Sequence, residues 1–266
     1  NSLEIPYEAK WDFGGRSGVP RSIRSITTKF GSIQNYMTHL SHRGINAIDC
    51  IHLDPSLFCQ GALDMYFGAF GHYAEEAIQL ASEAGSKIVT LSVTPPYYAV
   101  NMLTSLNDKE NEALFLDKTA RIIEAAATAA KAQGIRLCVK NEYWGLLAGE
   151  KIVSFISGLN TQVFLDVDTA HLQISGVSVT DFIRANKGRI GVVHFTDTAF
   201  VDHQNAGRQP LPEFPAQAAT KVFRDIGDGT VDFKAITDAL KDVGYAGIIV
   251  CNCRNSYDIC RSILRT

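Results

Sequence analysis

Several short apolar runs in this sequence end in side chains able to move protons, carry charge or ligate a cation. One ends Val-Lys140-Asn141-Glu142 and another Leu-Asp166-Val-Asp168-Thr-Ala-His171. A third ends Val-His194-Phe-Thr-Asp197, and the last ends Val-Cys251-Asn252. If these runs are strands, period-two alternation puts Lys140 and Glu142 on one face, and likewise Asp166 and Asp168. A charge at such a strand end is costly to bury unless it is paired, ligated or hydrated. Asp168 and His194, from adjacent strands, could share a divalent metal, because carboxylate oxygen with imidazole nitrogen suits Mn²⁺, Zn²⁺ or Mg²⁺-type sites. The plainer alternative is a hydrogen-bonded Asp–His pair that fixes the rim of the fold.

The elements that must position these residues alternate strand and helix. Expected strands are 22–28, 45–53, 87–93, 136–142, 161–168, 190–196, a short 221–224 and 247–252, and they are continuous apolar runs, as expected when both faces are covered. Between them helical spacing appears over 32–43, 73–84, 108–133, 150–158, 179–186 and 231–243, with a closing helix over 256–264. Gly44, Gly85 and Gly134 follow the helical runs they end. About eight strand–helix units with short links leave a doubly wound sheet or a closed barrel. No Gly-x-Gly-x-x-Gly follows the first strand, so the dinucleotide-binding sheet lacks its fingerprint and an organic cofactor is not expected. The count favours one (β/α)8 barrel domain over residues 1–266, with chemistry at the C-terminal strand ends.

The chain has 266 residues, with 25 Lys+Arg against 28 Asp+Glu and 46% hydrophobic content, the mix of a core-forming protein. A formal net charge of −3 lacks the basic footprint of a nucleic-acid binder. No apolar run of about 18 residues implies a membrane span. The opening NSLEIPYEAKWDFGG lacks the basic start and apolar stretch of a signal peptide. The six cysteines (Cys50, Cys59, Cys138, Cys251, Cys253 and Cys260) show no zinc or redox spacing, since Cys251-Asn-Cys253 separates its thiols by one residue. A reducing, cytoplasmic location is the corresponding expectation.

Several segments together resemble the xylose isomerase-like TIM-barrel superfamily, the sugar phosphate isomerase/epimerase group. They are Gly134-Ile-Arg-Leu-Cys-Val-Lys140-Asn141, Leu165-Asp-Val-Asp168-Thr-Ala-His171, Val193-His194-Phe-Thr-Asp197, Ile226-Gly-Asp-Gly229-Thr-Val-Asp232-Phe and Gly244-Tyr-Ala-Gly247-Ile-Ile-Val. The resemblance implies a TIM barrel that holds one divalent metal with Glu, Asp, His and Glu from four strand ends. In the epimerases the two glutamates also move the proton beside a carbonyl. Asp168 and His194 match the middle two ligands, and His171 matches a residue often found near metal or substrate. The outer two positions differ: the first glutamate falls on Lys140 and the last on Asn252. Two unit charges at about 4 Å cost roughly 4 kcal/mol at an effective dielectric of 20, and a divalent ion doubles that. An ammonium at Lys140 therefore argues against the metal, and the two-glutamate mechanism is not available in its family form.

Three outcomes follow for Lys140. It could replace the metal and stabilise an enolate or carboxylate near Asp168. It could lose its proton on burial and act as general base or Schiff-base amine. Or a shifted metal could be held by Glu142, Asp168 and His194. The inert alternative is a salt bridge from Lys140 to Glu142 or Asp168 in a site that has lost activity. Expected catalytic residues are Lys140, Glu142, Asp168, His171 and His194. Expected substrate contacts are His72, Trp144, Asp197, Arg208 and Asn252, with Tyr143 and the Asp202-His203 pair as lesser candidates. His39 and His42 are expected to be structural, and Asp228 and Asp232 to shape a turn and cap the next helix.

The expected activity is isomerisation, epimerisation or dehydration (a lyase) of a small sugar-like or keto substrate, which places the chain in carbohydrate metabolism. All three reactions start with proton abstraction next to a carbonyl. The competing expectation is a non-catalytic binding protein derived from the same family, and a homo-oligomer is left open. An abasic-site endonuclease needs many more His and Glu ligands than this chain offers.

Overall fold

The computed structural model of the chain describes residues 2–7, 23–55, 62–104, 109–203, 207 and 222–252. The chain divides into two compact, interleaved units, Asn1–Val93 with Leu103–Val139 and Leu159–Val163, and Thr94–Met102 with Lys140–Gly158 and Phe164–Thr266.

In the first unit β1 (Ser2–Tyr7), β2 (Ala47–Leu53) and β3 (Ile88–Ser92) pair in parallel. The expected first strand over 22–28 is instead a helix, α1 (Ile23–Phe30). Its β-branched Ile and Thr residues favour strand, but Ile23, Ile26 and Phe30 recur at helical spacing, and burial of Ile26 goes with that period. The strand role falls to β1, where Ile5 and Tyr7 are buried and Ser2 is exposed. Helix α2 (Ile33–Ser41) starts at an N-cap Ser32 whose hydroxyl accepts from Asn35 N–H at 3.1 Å.

Two long helices follow, α3 (Leu63–Ala84) and, after α4 (Tyr97–Leu103), α5 (Lys109–Ala132). Phe115, Thr119, Ile123, Ala126, Ala127 and Ala130 of α5 are buried at the spacing of one helix face. Tyr66 of α3 stacks on Phe115 with ring centroids 5.6 Å apart. Strand β4 (Arg136–Lys140) begins in this unit, Arg136 N–H donating to the Lys87 carbonyl at 2.8 Å, and its last residue opens the second.

In the second unit β5 (Phe164–Asp168), β6 (Ile190–Phe195) and β9 (Ile248–Cys251) are parallel neighbours. The β5–β6 register sets Asp168 opposite His194. Helices α6 (Lys151–Ser157), α7 (Thr169–Ile174), α8 (Val179–Ala185) and α9 (Phe233–Asp242) complete it. Asp232 caps α9, accepting from Ala235 N–H at 2.9 Å. The short strand expected over 221–224 is present only as β8 (Phe223–Arg224), which pairs antiparallel with β7 (Asp197–Thr198). It is a two-residue ribbon outside the parallel ladder, because Asp225-Ile-Gly-Asp-Gly turns the chain at once. The closing helix expected over 256–264 lies outside the described residues. Among the described residues no helix is long and apolar enough to cross a membrane.

Candidate active site

The strand-end residues of the second unit form two charge pairs. Lys140 Nζ lies 3.2 Å from Asp168 Oδ2, with side-chain exposures of 1% and 0%. Thr196 Oγ1 donates to the same oxygen at 3.0 Å, while Asp168 Oδ1 accepts from His171 N–H at 3.3 Å and so caps α7. Beside it, Asp166 Oδ1 lies 2.6 Å from His194 Nδ1, both side chains fully buried. An ionised carboxylate only accepts, so the proton of this pair belongs on Nδ1, and Nε2 becomes the nitrogen able to take up or release a proton. The carboxylate also stabilises the imidazolium that such an uptake creates.

The backbone around the pairs is held by side chains. Thr169 Oγ1 donates to the Thr196 carbonyl at 2.7 Å and accepts from Thr196 N–H at 2.9 Å. Asn141, at the point where β4 ends, bonds to both backbone groups of Asp168. In the loop that follows, Tyr97 N–H donates to the Trp144 carbonyl at 2.7 Å and Leu146 N–H to Thr94 Oγ1 at 3.1 Å. A Cβ at Gly145 would lie 2.8 Å from that Thr94 hydroxyl, so any larger residue there would force the hydroxyl out of its bond to Leu146.

His171 is built into an aromatic cluster. Its Nδ1 accepts from Tyr143 N–H at 3.2 Å, which leaves that nitrogen without a proton. Trp144 meets its ring edge-on at 4.6 Å and Phe223 at 5.3 Å, with the Tyr143 ring 5.5 Å away. Trp144 Nε1 donates to Glu142 Oε2 at 3.3 Å. Burial pushes the Tyr143 phenol well above its ordinary range, and the charges of Asp202 and Glu142 add to the shift.

Asp197 is fully buried and spent on backbone. Its Oδ1 accepts from Thr198 N–H (2.8 Å) and Val231 N–H (3.2 Å), and its Oδ2 from Gly227 N–H (2.8 Å) and Gly229 N–H (2.9 Å). Gly227 takes φ 86°, and a Cβ on Gly229 would overlap the Asp197 carboxylate. The Gly-x-Gly segment is thus shaped around one carboxylate.

The structure therefore brings Lys140, Glu142, Trp144, Asp168, His171 and His194 into one buried region of the second unit. His72 is elsewhere, exposed on α3 of the first unit, and Arg208 lies outside the described residues. Asn252 is partly exposed, its N–H donating to the Phe195 carbonyl at 2.9 Å. His203 is exposed, and Asp202 accepts from Gly207 N–H at 3.0 Å. Asp166, Asn141 and Thr196 were not among the expected site residues. Period two carries the signal for two of them, since Asp166 shares a face with Asp168 and Thr196 shares one with His194. Asn141 carries no such signal.

These residues do not fit the divalent metal that the resemblance implies. The ammonium of Lys140 already lies 3.2 Å from Asp168 Oδ2, and the resemblance puts the uncharged Asn252 where a second glutamate is expected. Among the described residues no group of three or more His, Cys, Asp or Glu side chains could hold a metal ion, so Glu142, Asp168 and His194 do not form the shifted ligand set.

Comparison with known proteins accounts for the layout. The sequence matches the xylose isomerase-like TIM barrel family over residues 68–262. Inosose dehydratase of Geobacillus thermodenitrificans (strain NG80-2) is 28% identical over 176 residues, 63% of this chain and 57% of that protein. The chain thus spans little more than half the length of this relative. A D-tagatose 3-epimerase-like protein superposes with a TM-score of 0.65 at 18% identity, over 99% of this chain and 85% of that one. The IOLI protein with a bound zinc atom does so with a TM-score of 0.62 at 13% identity, over 94% of this chain and 78% of that one. At such identities the two structures show the fold alone, a TIM barrel, whereas the match over 68–262 shows descent. The chain belongs to the xylose isomerase-like TIM barrel family.

Proposed function

We propose that the chain is an enzyme that removes a proton from the carbon next to the carbonyl of a small polyhydroxylated ketone. The observation that carries this reading is the Asp166–His194 pair beside the Lys140–Asp168 pair, at the ends of neighbouring strands. His194 Nε2 takes the proton while Asp166 stabilises the imidazolium. The Lys140 ammonium stabilises the negative charge that develops on the carbonyl oxygen. Expulsion of the hydroxyl on the next carbon, β to the carbonyl and protonated by the imidazolium, then loses one water and completes a dehydration. Delivery of the proton to the former carbonyl carbon, with the α-hydroxyl proton passing to the carbonyl oxygen, instead gives isomerisation. Reprotonation of the original carbon from the opposite face by a second acid gives epimerisation. The dehydration branch is favoured by the similarity to an inosose dehydratase, an inosose being a cyclic polyol with one ketone.

The test is to incubate the purified protein with an inosose in D2O, following loss of water by mass spectrometry and deuterium at the carbon beside the ketone by NMR. Turnover that Lys140→Ala abolishes supports the reading. Neither exchange nor water loss, with an inosose or with ketohexoses, rejects it.

A second reading, a binding protein that has kept the fold and lost turnover, is favoured by the enclosure of Asp166, Asp168, His171 and His194, each at 0% exposure. It predicts saturable ketone binding without exchange, weakened but not abolished by Lys140→Ala.

A further inference from the structure

We propose that Lys140 is a built-in cation that stands where relatives of this fold place a divalent metal, so that this site neither binds nor needs one. The inference deepens the reading above and rests on it only for what the ammonium does to a bound ketone.

Asp168 carries the argument. An ionised carboxylate has about four acceptor positions, and three donors already converge on this one. They are His171 N–H on Oδ1, and the Thr196 hydroxyl and the Lys140 ammonium on Oδ2. A metal on Asp168 would either displace the ammonium, which is enclosed at 1% exposure, or face it across the same carboxylate. His194 does not decide the matter, because a metal-binding histidine also commonly donates its second ring nitrogen to a carboxylate, as His194 does to Asp166. The Lys140 ammonium does decide it. It already pairs with Asp168 at 3.2 Å, and a divalent ion on the same carboxylate would lie a few ångströms from a fixed positive charge, a repulsion of several kcal/mol even at an effective dielectric of about 20. The resemblance puts uncharged Asn252, not a glutamate, at the last ligand position.

The replacement also bears on the substrate. An ammonium is a compact point charge that donates to one oxygen per N–H, whereas a divalent ion chelates neighbouring oxygens at once. A site built on Lys140 therefore holds a ketone through its carbonyl oxygen and leaves the α-hydroxyl unligated. The hydroxyl that departs as water is the β one, a carbon further along.

The test measures metal directly. The full chain is purified, its metal content is determined, and after EDTA dialysis it is titrated with MnCl2 and with ZnCl2 by calorimetry. The expected result is substoichiometric metal as purified and no binding isotherm at micromolar concentrations. The double variant Lys140→Glu with Asn252→Glu, which supplies two carboxylates, is expected to gain one equivalent with at least a hundredfold tighter binding. If that variant does not fold, the wild-type measurement still decides. One equivalent of Mn²⁺ or Zn²⁺ on the wild type that is lost in Asp168→Asn overturns the proposal. A wild type that binds no metal and also leaves both an inosose and ketohexoses untouched upholds the cation assignment and rejects the proposed activity. One that turns over equally with and without EDTA upholds both.

Discussion

The side-chain amide of Asn141 satisfies both backbone groups of Asp168. Asn141 Oδ1 accepts from Asp168 N–H at 3.0 Å, and Asn141 Nδ2 donates to the Asp168 carbonyl at 3.3 Å. The bond pattern of a strand neighbour is thereby continued by a side chain after β4 has ended. It fixes the backbone from which the Asp168 carboxylate reaches Lys140, Thr196 and the start of α7. Asn141→Leu leaves a buried N–H and a buried C=O without this partner. The expected loss is about 1–3 kcal/mol for each group, read from the midpoint of urea unfolding. A midpoint within error of the wild type would show that water or a neighbour replaces the amide.

Removing one half of an enclosed ion pair strands the other half. Lys140→Met is expected to destabilise the protein by about 3–5 kcal/mol. The double variant Lys140→Met with Asp168→Leu is expected to recover most of that loss, because no uncompensated charge remains. Urea unfolding of the two single variants and the double variant gives the coupling, and additive losses would mean that the pair does not hold in solution.

Asp166 fixes which nitrogen of His194 holds the proton. Asp166→Asn keeps a similar shape but puts an amide, able to donate, against Nδ1. On the proposed mechanism, kcat for ketone turnover is expected to fall about 10²–10⁴-fold, the usual contribution of a general acid–base group, with KM little changed. Steady-state kinetics on an inosose checks the split, and a change confined to KM would assign the pair to binding.

Tyr143 makes stability sensitive to alkali. Burial holds its phenol neutral beyond the ordinary value of about 10, with Asp202 and Glu142 adding to the effect. Below that value the phenol is protonated in both folded and unfolded chains and contributes no slope. Above it the unfolded chain gives up the proton first, so the unfolding free energy falls by up to about 1.4 kcal/mol per pH unit. Burial also raises Tyr36, which leaves a second contribution. Tyr143→Phe is expected to flatten the decline above pH 10 without abolishing it, as measured by thermal unfolding across pH 8–11.

The loop around Asp197 has no room for a side chain at Gly229. An added methyl would overlap the Asp197 carboxylate and come within 2.6 Å of the Thr198 carbonyl oxygen. Gly229→Ala is expected to cost about 1–3 kcal/mol and to loosen the backbone after β6. Hydrogen exchange of the Gly227 and Val231 amides, both bonded to Asp197, reads the change directly. Unaltered protection there would mean that the loop accommodates the methyl.

From β2 onward the sequence by itself determined the alternation of strand and helix, since its continuous apolar runs differ from the long periodic segments that became α3 and α5. It also determined that Lys140, Asp168 and His194 end neighbouring strands, because strand ends are marked by the change from apolar to polar residues. It misassigned α1, where β-branched residues mask a helical period that only burial reveals. Pairing was decided by the tertiary structure alone. Period two places Asp166 and Asp168 on one face but does not say which of them meets His194, and the β5–β6 register sets Asp168 opposite His194 even though Asp166 is the hydrogen-bonding partner. Asp197 looked equally reactive in sequence, yet four backbone amides consume it, and three of them arrive from a loop some 30 residues away. Spacing along a chain fixes direction within one strand. Which charge neutralises which depends on distances across strands, and those distances turn a suspected metal ligand into the counter-ion of Lys140.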